Sequence, residues 1–208
     1  MGAPSRRERR KAETRARLLD AARELFASDG YDATRPQDIA RAADVAIGTF
    51  YVHFEDKRAA FLAFTETASH ELMESVRAHI GAASGFEAKL RKSLEAIVAY
   101  SDQHPGVLAA AFADQAVLAA GLPEGVSLRD RLAQSLAKGL REGMRAGELR
   151  RDYDPTVIAH AIVGLMQQGL RFGAHGRVSR ETLLDNLVSF CAHALVAPAR
   201  GGAKKESR

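Results

Sequence analysis

The sequence predicts an all-α protein, and three observations support this fold class. Apolar residues recur at helical spacing along almost the whole chain of 208 residues. Ala, Arg and Leu are abundant and Glu is frequent, whereas the β-branched residues that favour strands are scarce. Gly and Pro punctuate the apolar stripes, as expected where helices end and begin.

The first four helices follow from apolar stripes and from residues that start or stop a helix. Thr14 is a possible start of the first helix, and Gly30 is a natural left-handed stop for it. Pro36 suits the first position of the second helix, because its missing N–H would have no partner there. Either Thr34 or Arg35 must then cap that helix. The predicted helices before the glycine-rich break at residues 81–85 span about 14–29, 36–43, 47–54 and 55–80.

The remaining helices are marked by caps and breakers. Asp154 followed by Pro155 is a strong helix start, with Asp as the N-cap and Pro as the first residue. Ser179, with Thr182 three residues later, opens the last helix. The predicted helices in this half span about residues 86–101, 105–120, 128–146, 154–172 and 179–196. The Gly- and Lys-rich tail, residues 198–208, is expected to be disordered.

Composition fits a globular protein and argues against a membrane span or secretion. Hydrophobic residues make up 46% of the chain and charged residues 27%, which is ordinary for a soluble domain. No apolar run approaches the roughly 20 residues that cross a bilayer, and no apolar signal segment follows the basic N-terminus. The single cysteine, Cys191, fits a reducing cytoplasm and core packing, with redox sensing as the alternative. We therefore expect a cytoplasmic protein.

Positive charge is concentrated at the N-terminus. The net charge of the chain is +4, but residues 1–17 alone hold seven basic and two acidic side chains. This asymmetry predicts a flexible basic arm over residues 1–13 that meets a polyanion. A solvated tail is the alternative that charge alone leaves open. The position of the arm, just before the segment described next, favours contact with nucleic acid.

The segment 38–57 is the most informative stretch of the chain. It reads as two short helices joined by a turn at residues 44–46 and followed by an aromatic and basic edge. This is the layout of a helix-turn-helix, in which the second helix enters the major groove of DNA. The pattern alone is a weak indicator, and its neighbouring residues make it stronger.

Residues at fixed offsets around this segment resemble the TetR family of bacterial transcriptional regulators. The resemblance is carried by Gly-Tyr-Asp-Ala-Thr at 30–34, Asp-Ile-Ala at 38–40, Ala-Ala at 42–43, Val45, Gly-Thr-Phe-Tyr at 48–51, His-Phe at 53–54 and Lys57. The motif-bearing part covers roughly residues 14–64 without a gap. Farther along the chain only the layout is similar, together with Gly-Glu-Leu-Arg at 147–150 before Asp154 and Pro155.

The resemblance implies a division of the chain into parts. Residues 14–56 would form an N-terminal three-helix helix-turn-helix DNA-binding head. Residues 57–197 would form a C-terminal helical ligand-binding and dimerisation domain. The last two helices of each subunit would meet in a four-helix homodimer interface. The implied partners are a double-stranded DNA operator and an unknown small-molecule effector, with no cofactor and no membrane.

The resemblance and side-chain chemistry together indicate which residues meet DNA. Thr49, Tyr51 and Lys57 can donate hydrogen bonds to phosphate oxygens. Gly48 lets the helix backbone come close to the duplex, and Ile47 can touch a thymine methyl but cannot hydrogen-bond a base edge. The full predicted set of DNA-binding residues is Thr34, Arg35, Gln37, Ile47, Gly48, Thr49, Tyr51, His53 and Lys57. For the histidine, packing at the helix end is the alternative.

Three residues depart from the family pattern. Asp44 stands where Gly is usual in the turn, and Asp tolerates the left-handed conformation better than most residues, at some cost. Ala46 replaces the usual Ser, so the third helix loses a side-chain cap worth about 0.5–2 kcal/mol. Arg35 replaces a capping Ser or Thr and cannot accept a helix N–H, although a guanidinium can reach phosphate itself.

The C-terminal half carries no recognisable enzyme or metal motif. Its histidines show no metal-ligand spacing, and no phosphate loop or nucleophile elbow is present. We therefore expect neither catalysis nor a bound metal. An apolar ligand pocket between helices is predicted instead, with ordinary core and surface positions as the alternative for each residue. The candidate pocket residues are Tyr100, His104, Phe112, Gln115, Met144, Met166 and Phe172.

The last two helices are predicted to pair with a second subunit. Small and apolar residues share one face of the first of them: Ala159, Ala161, Ile162, Gly164 and Leu165. An apolar stripe runs along the other: Leu183, Leu184, Leu187, Val188, Cys191 and Leu195. In a monomer these faces would need a partner, so a dimer bundle is expected and Leu187→Glu should break it.

The leading functional hypothesis is a sequence-specific DNA-binding transcriptional regulator. Most consistent with the family is a repressor that a small-molecule ligand releases from its operator, and the sign of regulation is taken from the family. The alternative is a ligand-independent DNA-binding or architectural protein. A helical enzyme or carrier with an incidental helix-turn-helix is a third hypothesis.

Overall fold

The computed structural model describes residues 5–113, 127–173, 176 and 178–197. Over these residues the regular elements are α-helices, together with one isolated antiparallel bridge between Leu149 and Val196. The predicted all-α fold is confirmed. No helix in the described part of the chain is long and apolar enough to cross a membrane. In chain order the helices are α1 Arg6–Ala33, α2 Pro36–Ala42, α3 Ile47–His53, α4 Lys57–Ile80, α5 Phe86–Gln103, α6 Val107–Ala113, α7 Leu128–Ala146, α8 Pro155–Gly173 and α9 Arg180–Leu195.

Helix α1 begins at Arg6, not at Thr14, so the segment predicted to be a flexible arm is helical from Arg6 onward. The cause is a capping box. The Glu8 N–H donates to Ser5 Oγ at 3.3 Å, and the Ser5 N–H donates to Glu8 Oε2 at 2.7 Å. Arg, Lys, Ala and Glu are also strong helix formers. Residues 1–4, the rest of the predicted arm, lie outside the described residues.

Several predicted helix boundaries are confirmed by their caps. Gly30, with φ of 83°, interrupts α1 where a stop was predicted, but the helix resumes and ends at Ala33. Asp154 caps α8, since its Oδ1 accepts hydrogen bonds from the N–H groups of Thr156 and Val157, both at 2.9 Å. Ser179 caps α9 by accepting from the Thr182 N–H at 3.1 Å. The tail at 198–208 and residues 114–120 of the predicted sixth helix lie outside the described residues.

The described residues fall into two compact units. The first draws on Met1–Ser75 and Ile97–Arg131. An aromatic cluster forms its core: the Phe26 ring meets the Phe61 ring edge-on with centroids 4.9 Å apart, and the Tyr31 and Phe64 rings complete it. These side chains fix the first helix against the start of α4. Helix α1 is thereby packed against the start of α4.

The second unit draws on Val76–Ala96 and Leu132–Arg208, and its core lies between α8 and α9. Leu187 is buried there, against Gly169, where a Cβ would come within 3.0 Å of a leucine methyl carbon. Most of the stripe predicted to need a second subunit is therefore already buried within one chain. The expectation that Leu187→Glu reports on a dimer is corrected, because that change would disrupt the core of the protomer.

Candidate nucleic-acid interface

Helices α2 and α3 pack against each other around buried apolar side chains. Ile39 of α2 and Phe50 of α3 are fully buried, and Ala40 is nearly so. Pro36 occupies the first turn of α2 as predicted, and Arg35 is the N-cap residue without a side-chain cap bond. Helix α3 likewise starts after Ala46 without a side-chain cap, as its sequence predicts. Packing, not capping, therefore holds these two short helices in place.

The turn between the two helices is tight and adopts the predicted left-handed step. Asp44 has φ of 51°, and it is the one described residue other than glycine with a positive φ. The Val45 N–H donates to the Ala40 carbonyl at 3.0 Å, which closes the turn. Arg17 of α1 braces it from outside, since its Nη2 donates to the carbonyls of Ala43 and Asp44, the latter at 2.9 Å. The angle between α2 and α3 is thus fixed by α1.

Helix α3 presents one face to solvent and buries the other. Phe50 and Phe54 point into the core. Tyr51 is 52% exposed and Val52 68% exposed, while Ile47 at the start of the helix is 39% exposed. Gly48 lies between these side chains, and a Cβ there would meet no described atom within 4 Å. The major groove of DNA is wide enough to admit an α-helix, so this exposed face is the part of α3 that could meet base edges.

Most residues predicted to meet DNA are exposed in the structure. Arg35, Gln37, Ile47, Gly48 and Tyr51 are exposed. Thr49 and His53 are half-buried on the same helix as the exposed face. The structure therefore brings together the start of α2 and the whole of α3, which is the arrangement that a helix-turn-helix requires.

Thr34 does not belong to this surface, and its predicted role in DNA contact is corrected. It is only 1% exposed. Its hydroxyl donates to the Gly30 carbonyl at 2.7 Å and lies 3.3 Å from the Leu25 carbonyl oxygen. The side chain therefore closes the end of α1, where the break at Gly30 leaves carbonyl groups without helical partners.

Lys57 is also placed differently from its prediction as a free phosphate donor. Its Nζ donates to the Tyr31 carbonyl at 2.8 Å and lies 3.4 Å from the Asp32 carbonyl oxygen. The same ammonium lies 4.2 Å from the centroid of the Tyr31 ring, a cation–π contact. Lys57 thus ties the start of α4 to the end of α1. A phosphate would have to share this ammonium with two carbonyl oxygens.

His53, at the end of α3, lies next to the basic start of α1. Burial lowers the pKa of its imidazole, and the positive charges of Lys11 and Arg15 lower it further. Its Nδ1 is buried and has no hydrogen-bond partner among the described residues. Arg15 also lies over the Phe54 ring at 5.1 Å. The basic residues of α1 therefore extend the positive surface beside the exposed face of α3.

The candidate pocket residues fall into different surroundings. Tyr100 is 3% exposed and donates to Glu71 Oε2 at 2.7 Å, and its ring centroid lies 4.5 Å from that of His104. Phe112 in the same unit is half-buried. In the second unit Met144 and Met166 are buried, whereas Phe172 is 44% exposed and so lies on the outer face of α8. Gln115 lies outside the described residues.

Two functional candidates were missed by sequence reasoning. Val52 is the most exposed apolar residue of α3, and the helical period could have found it, since it lies about 200° around the helix from Phe50. Arg17 braces the turn from a position 26 residues before Ala43. No local signal in the sequence could reveal that contact.

Comparisons with known proteins agree with this architecture. The family model described as "Bacterial regulatory proteins, tetR family" matches residues 18–64. A second, described as "Tetracyclin repressor-like, C-terminal domain", matches residues 83–195. Together the two models cover both the head and the helices that follow it.

Individual relatives point the same way. The HTH-type transcriptional regulator SrpR of Pseudomonas putida is 30% identical over 164 residues, which is 76% of this chain and 76% of that protein. The HTH-type transcriptional repressor DhaR of Mycobacterium sp. strain GP1 is 24% identical over 155 residues, covering 74% and 78% of the two chains. Among solved structures, the fatty acid degradation regulator FadR from Bacillus halodurans shares the fold, with a TM-score of 0.71 at 20% identity over 85% of this chain and 93% of that one.

Proposed function

This chain belongs to the TetR family of DNA-binding transcriptional regulators, and we propose that it acts as a repressor that a small-molecule ligand releases from its operator. The observation that carries the DNA-binding part is the exposed face of α3 beside a braced turn. The repressor assignment is supported by the name of the relative DhaR, which is described as a repressor. We place the protein in the cytoplasm, where its DNA would lie.

The proposed contacts to DNA divide by chemistry. Arg35 and Gln37, exposed at the start of α2, reach phosphate or a base edge. Thr49 and Tyr51 donate from α3 to phosphate oxygens. His53, at the end of α3, is also proposed to donate to a phosphate oxygen. Lys57 is proposed to contact phosphate from the start of α4. Its ammonium also donates to the Tyr31 carbonyl of α1.

The protein is proposed to work as a homodimer through α8 and α9. Val157 and Phe190 are 65% and 66% exposed, and Leu165 and Phe172 are also exposed on α8. Ala161 and Gly164, small and exposed on the same helix, permit close approach of a second helix. A second subunit that covers these exposed apolar side chains would remove them from water, which stabilises a dimer. Two heads on one dimer would then read two half-sites of one operator.

The effector is proposed to bind in the helical C-terminal domain. Among the candidate pocket residues, Tyr100 and His104 lie together in the first compact unit, with ring centroids 4.5 Å apart, and they are the polar residues proposed to contact the effector. The protein would exchange between a conformation that fits DNA well and one that fits it poorly. A ligand that binds the second conformation more tightly lowers operator affinity, and the size of the effect is set by the ratio of its affinities for the two conformations. A ligand-independent DNA-binding protein is the competing function, favoured if no ligand stabilises the chain.

The test is a selection of bound fragments from a genomic DNA pool, followed by footprinting of the recovered site. We expect one palindromic site with half-sites spaced by about one helical turn or a multiple of it. Arg35→Ala and Tyr51→Ala should weaken binding to that site, with Val178→Ala, exposed outside the helices, as the control. Recovery of no enriched sequence would reject the proposal. Thermal melting with apolar and cationic compounds then separates the ligand-responsive from the ligand-independent hypothesis, since a ligand of the native state raises Tm.

A further inference from the structure

The outermost ridge of α3 is apolar. Residues of an α-helix rotate by about 100° per step, so Val52 lies almost opposite the buried Phe50. Ile47 and Tyr51 share one stripe of the helix, and Gly48 and Val52 share the next, since each pair is spaced by four residues. Val52 is the most exposed of these side chains, at 68%. Its two methyl groups therefore form the outermost part of α3, which we call the crest of the helix.

Polar groups on α3 lie away from this crest. Thr49 and His53 are half-buried on the flanks of the helix. Tyr51 is the one exposed side chain of α3 with a hydrogen-bonding group, at the end of a long ring. Gly48 adds no side chain, and nothing described fills the space beside its Cα within 4 Å. The crest can therefore approach base edges closely, but it offers few groups that could form hydrogen bonds with the donors and acceptors of the bases.

Only one group in the major groove matches an apolar crest. Base edges there display hydrogen-bond donors and acceptors, with the exception of the C5-methyl group of thymine. A valine set against polar edges would strip them of water without compensation, which costs free energy. Against a thymine methyl it buries apolar surface on both sides. Positive side chains on neighbouring elements can meet the phosphates that flank the groove: Arg35 just before α2 and Lys11 on α1.

We infer that this protein selects its operator by contact between Val52 and thymine methyl groups, with Val52 as the specificity-determining residue. This inference rests on the proposed function, because it assumes that α3 enters the major groove. The thymine methyl group is the base feature that Val52 would recognise. The operator half-site should therefore contain thymine at the position opposite the crest of α3.

The test uses the operator recovered by selection and removes single methyl groups from it. Each thymine of a half-site is replaced in turn by deoxyuridine, which keeps base pairing and charge. For the wild-type protein, we expect removal of a methyl group that Val52 touches to lower affinity about fourfold, at one or two positions. Val52→Ala should bind the thymine and uracil duplexes equally at those positions. Val178→Ala, a change at an exposed valine outside the helices, should keep the wild-type discrimination.

The variant is designed to fold, because Val52 is mostly exposed and Ala favours helix more than Val. A Tm close to wild type checks this. Wild-type binding that ignores every thymine-to-uracil change overturns the inference and leaves the proposed function standing. Discrimination that survives in Val52→Ala, or that disappears only in Ile47→Ala, also overturns it. If the selection yields no preferred sequence, the proposed function fails first, and the methyl readout fails with it.

Discussion

Arg23 on α1 donates through Nη1 to both carboxylate oxygens of Glu71 on α4, at 2.9 and 2.8 Å. Tyr100 on α5 donates to the same carboxylate, and Arg23 Nη2 lies 3.3 Å from the tyrosine oxygen. One carboxylate thus joins three helices of the first compact unit. Since α1 also braces the turn before α3 through Arg17, this cluster supports the position of α3.

Glu71→Gln should destabilise the protein at neutral pH by about 1 kcal/mol, the scale of a charge-assisted bond at a half-exposed site. Burial disfavours ionisation of Glu71, but hydrogen bonds from Tyr100 and Arg23 outweigh it, so its pKa lies below the ordinary 4.5. A lowered pKa in the folded state gives stability that is present above pH 4.5 and is lost as the pH falls through the folded value. Urea unfolding at several pH values measures this difference.

The difference in free energy of unfolding between wild type and Glu71→Gln should therefore shrink on acidification. Glu74→Gln serves as the matched control, because Glu74 lies on the same helix but is mostly exposed, with only His70 3.8 Å away. Its effect should stay within about 0.5 kcal/mol. A stability difference between wild type and Glu71→Gln that does not vary with pH would contradict the assigned role of the Glu71 charge.

Tyr100 should ionise at a higher pH than an ordinary tyrosine. Burial and the hydrogen bond to Glu71 raise its pKa from 10.0 to about 12. The unfolded phenol loses its proton first, so the stability due to Tyr100 is complete below pH 10 and is lost as the pH rises toward 12. Ultraviolet titration of tyrosinate should show a late step that is absent in Tyr100→Phe. A late step that persists in the variant would show that another group causes it.

Asp44→Gly should stabilise the protein by about 0.5 kcal/mol. Asp44 holds φ of 51°, a conformation that costs less for Gly than for a residue with a Cβ. Part of that gain is offset by the greater freedom of Gly in the unfolded chain. Asp44→Ala is the matched control and should lower Tm. Equal shifts for the two variants would mean that backbone strain in this turn is not the cause.

Phe190→Glu should convert the proposed dimer into a folded monomer. Phe190 is 66% exposed on α9, so its replacement leaves the protomer core intact and places a charge in the interface. Leu187→Glu, at a position only 8% exposed, should instead unfold the protomer by burying an unpaired charge. Light scattering gives the mass and circular dichroism gives the fold. A dimer mass that persists in Phe190→Glu would place the interface elsewhere.

Local signals in the sequence predicted most of the helix boundaries, and the start of α1, which was predicted too late, also has a local cause. Gly30, Asp154 and Ser179 act through their own backbone or through groups two to four residues away, so their roles are legible in sequence. The capping box of Ser5 and Glu8 is equally local. It lies, however, in a segment whose dense positive charge is also typical of a flexible arm.

The site was less predictable than the fold, because a side chain's chemistry does not specify its partner. Lys57 has the charge to bind phosphate, yet its ammonium is held by a carbonyl 26 residues earlier in the chain. Thr34 has a hydroxyl suited to phosphate, but the break at Gly30 turns it inward. The stripe around Leu187 is equally apolar whether its partner is α8 or a second subunit. Only the packed structure distinguishes these cases.

The basic start of α1 should contribute to DNA binding through charge. Its arginines and lysine are exposed, and Lys11 lies close enough to His53 to affect its pKa. Replacing Arg6, Arg7, Arg9, Arg10 and Lys11 together by Gln keeps good helix formers and the capping box. Operator affinity should fall, and the slope of log affinity against log salt should flatten by about 0.9 for each phosphate that the variant no longer neutralises.

Filter binding across a salt series measures that slope, and Arg141→Gln, exposed on α7 in the second unit, is the control that should leave it unchanged. Weaker binding with an unaltered slope would mean that the five side chains act through structure and not through phosphate charge. No change in either quantity would make the start of α1 a solvated helix end. A flattened slope with the base preferences retained would distinguish phosphate contacts by α1 from the sequence readout proposed for α3.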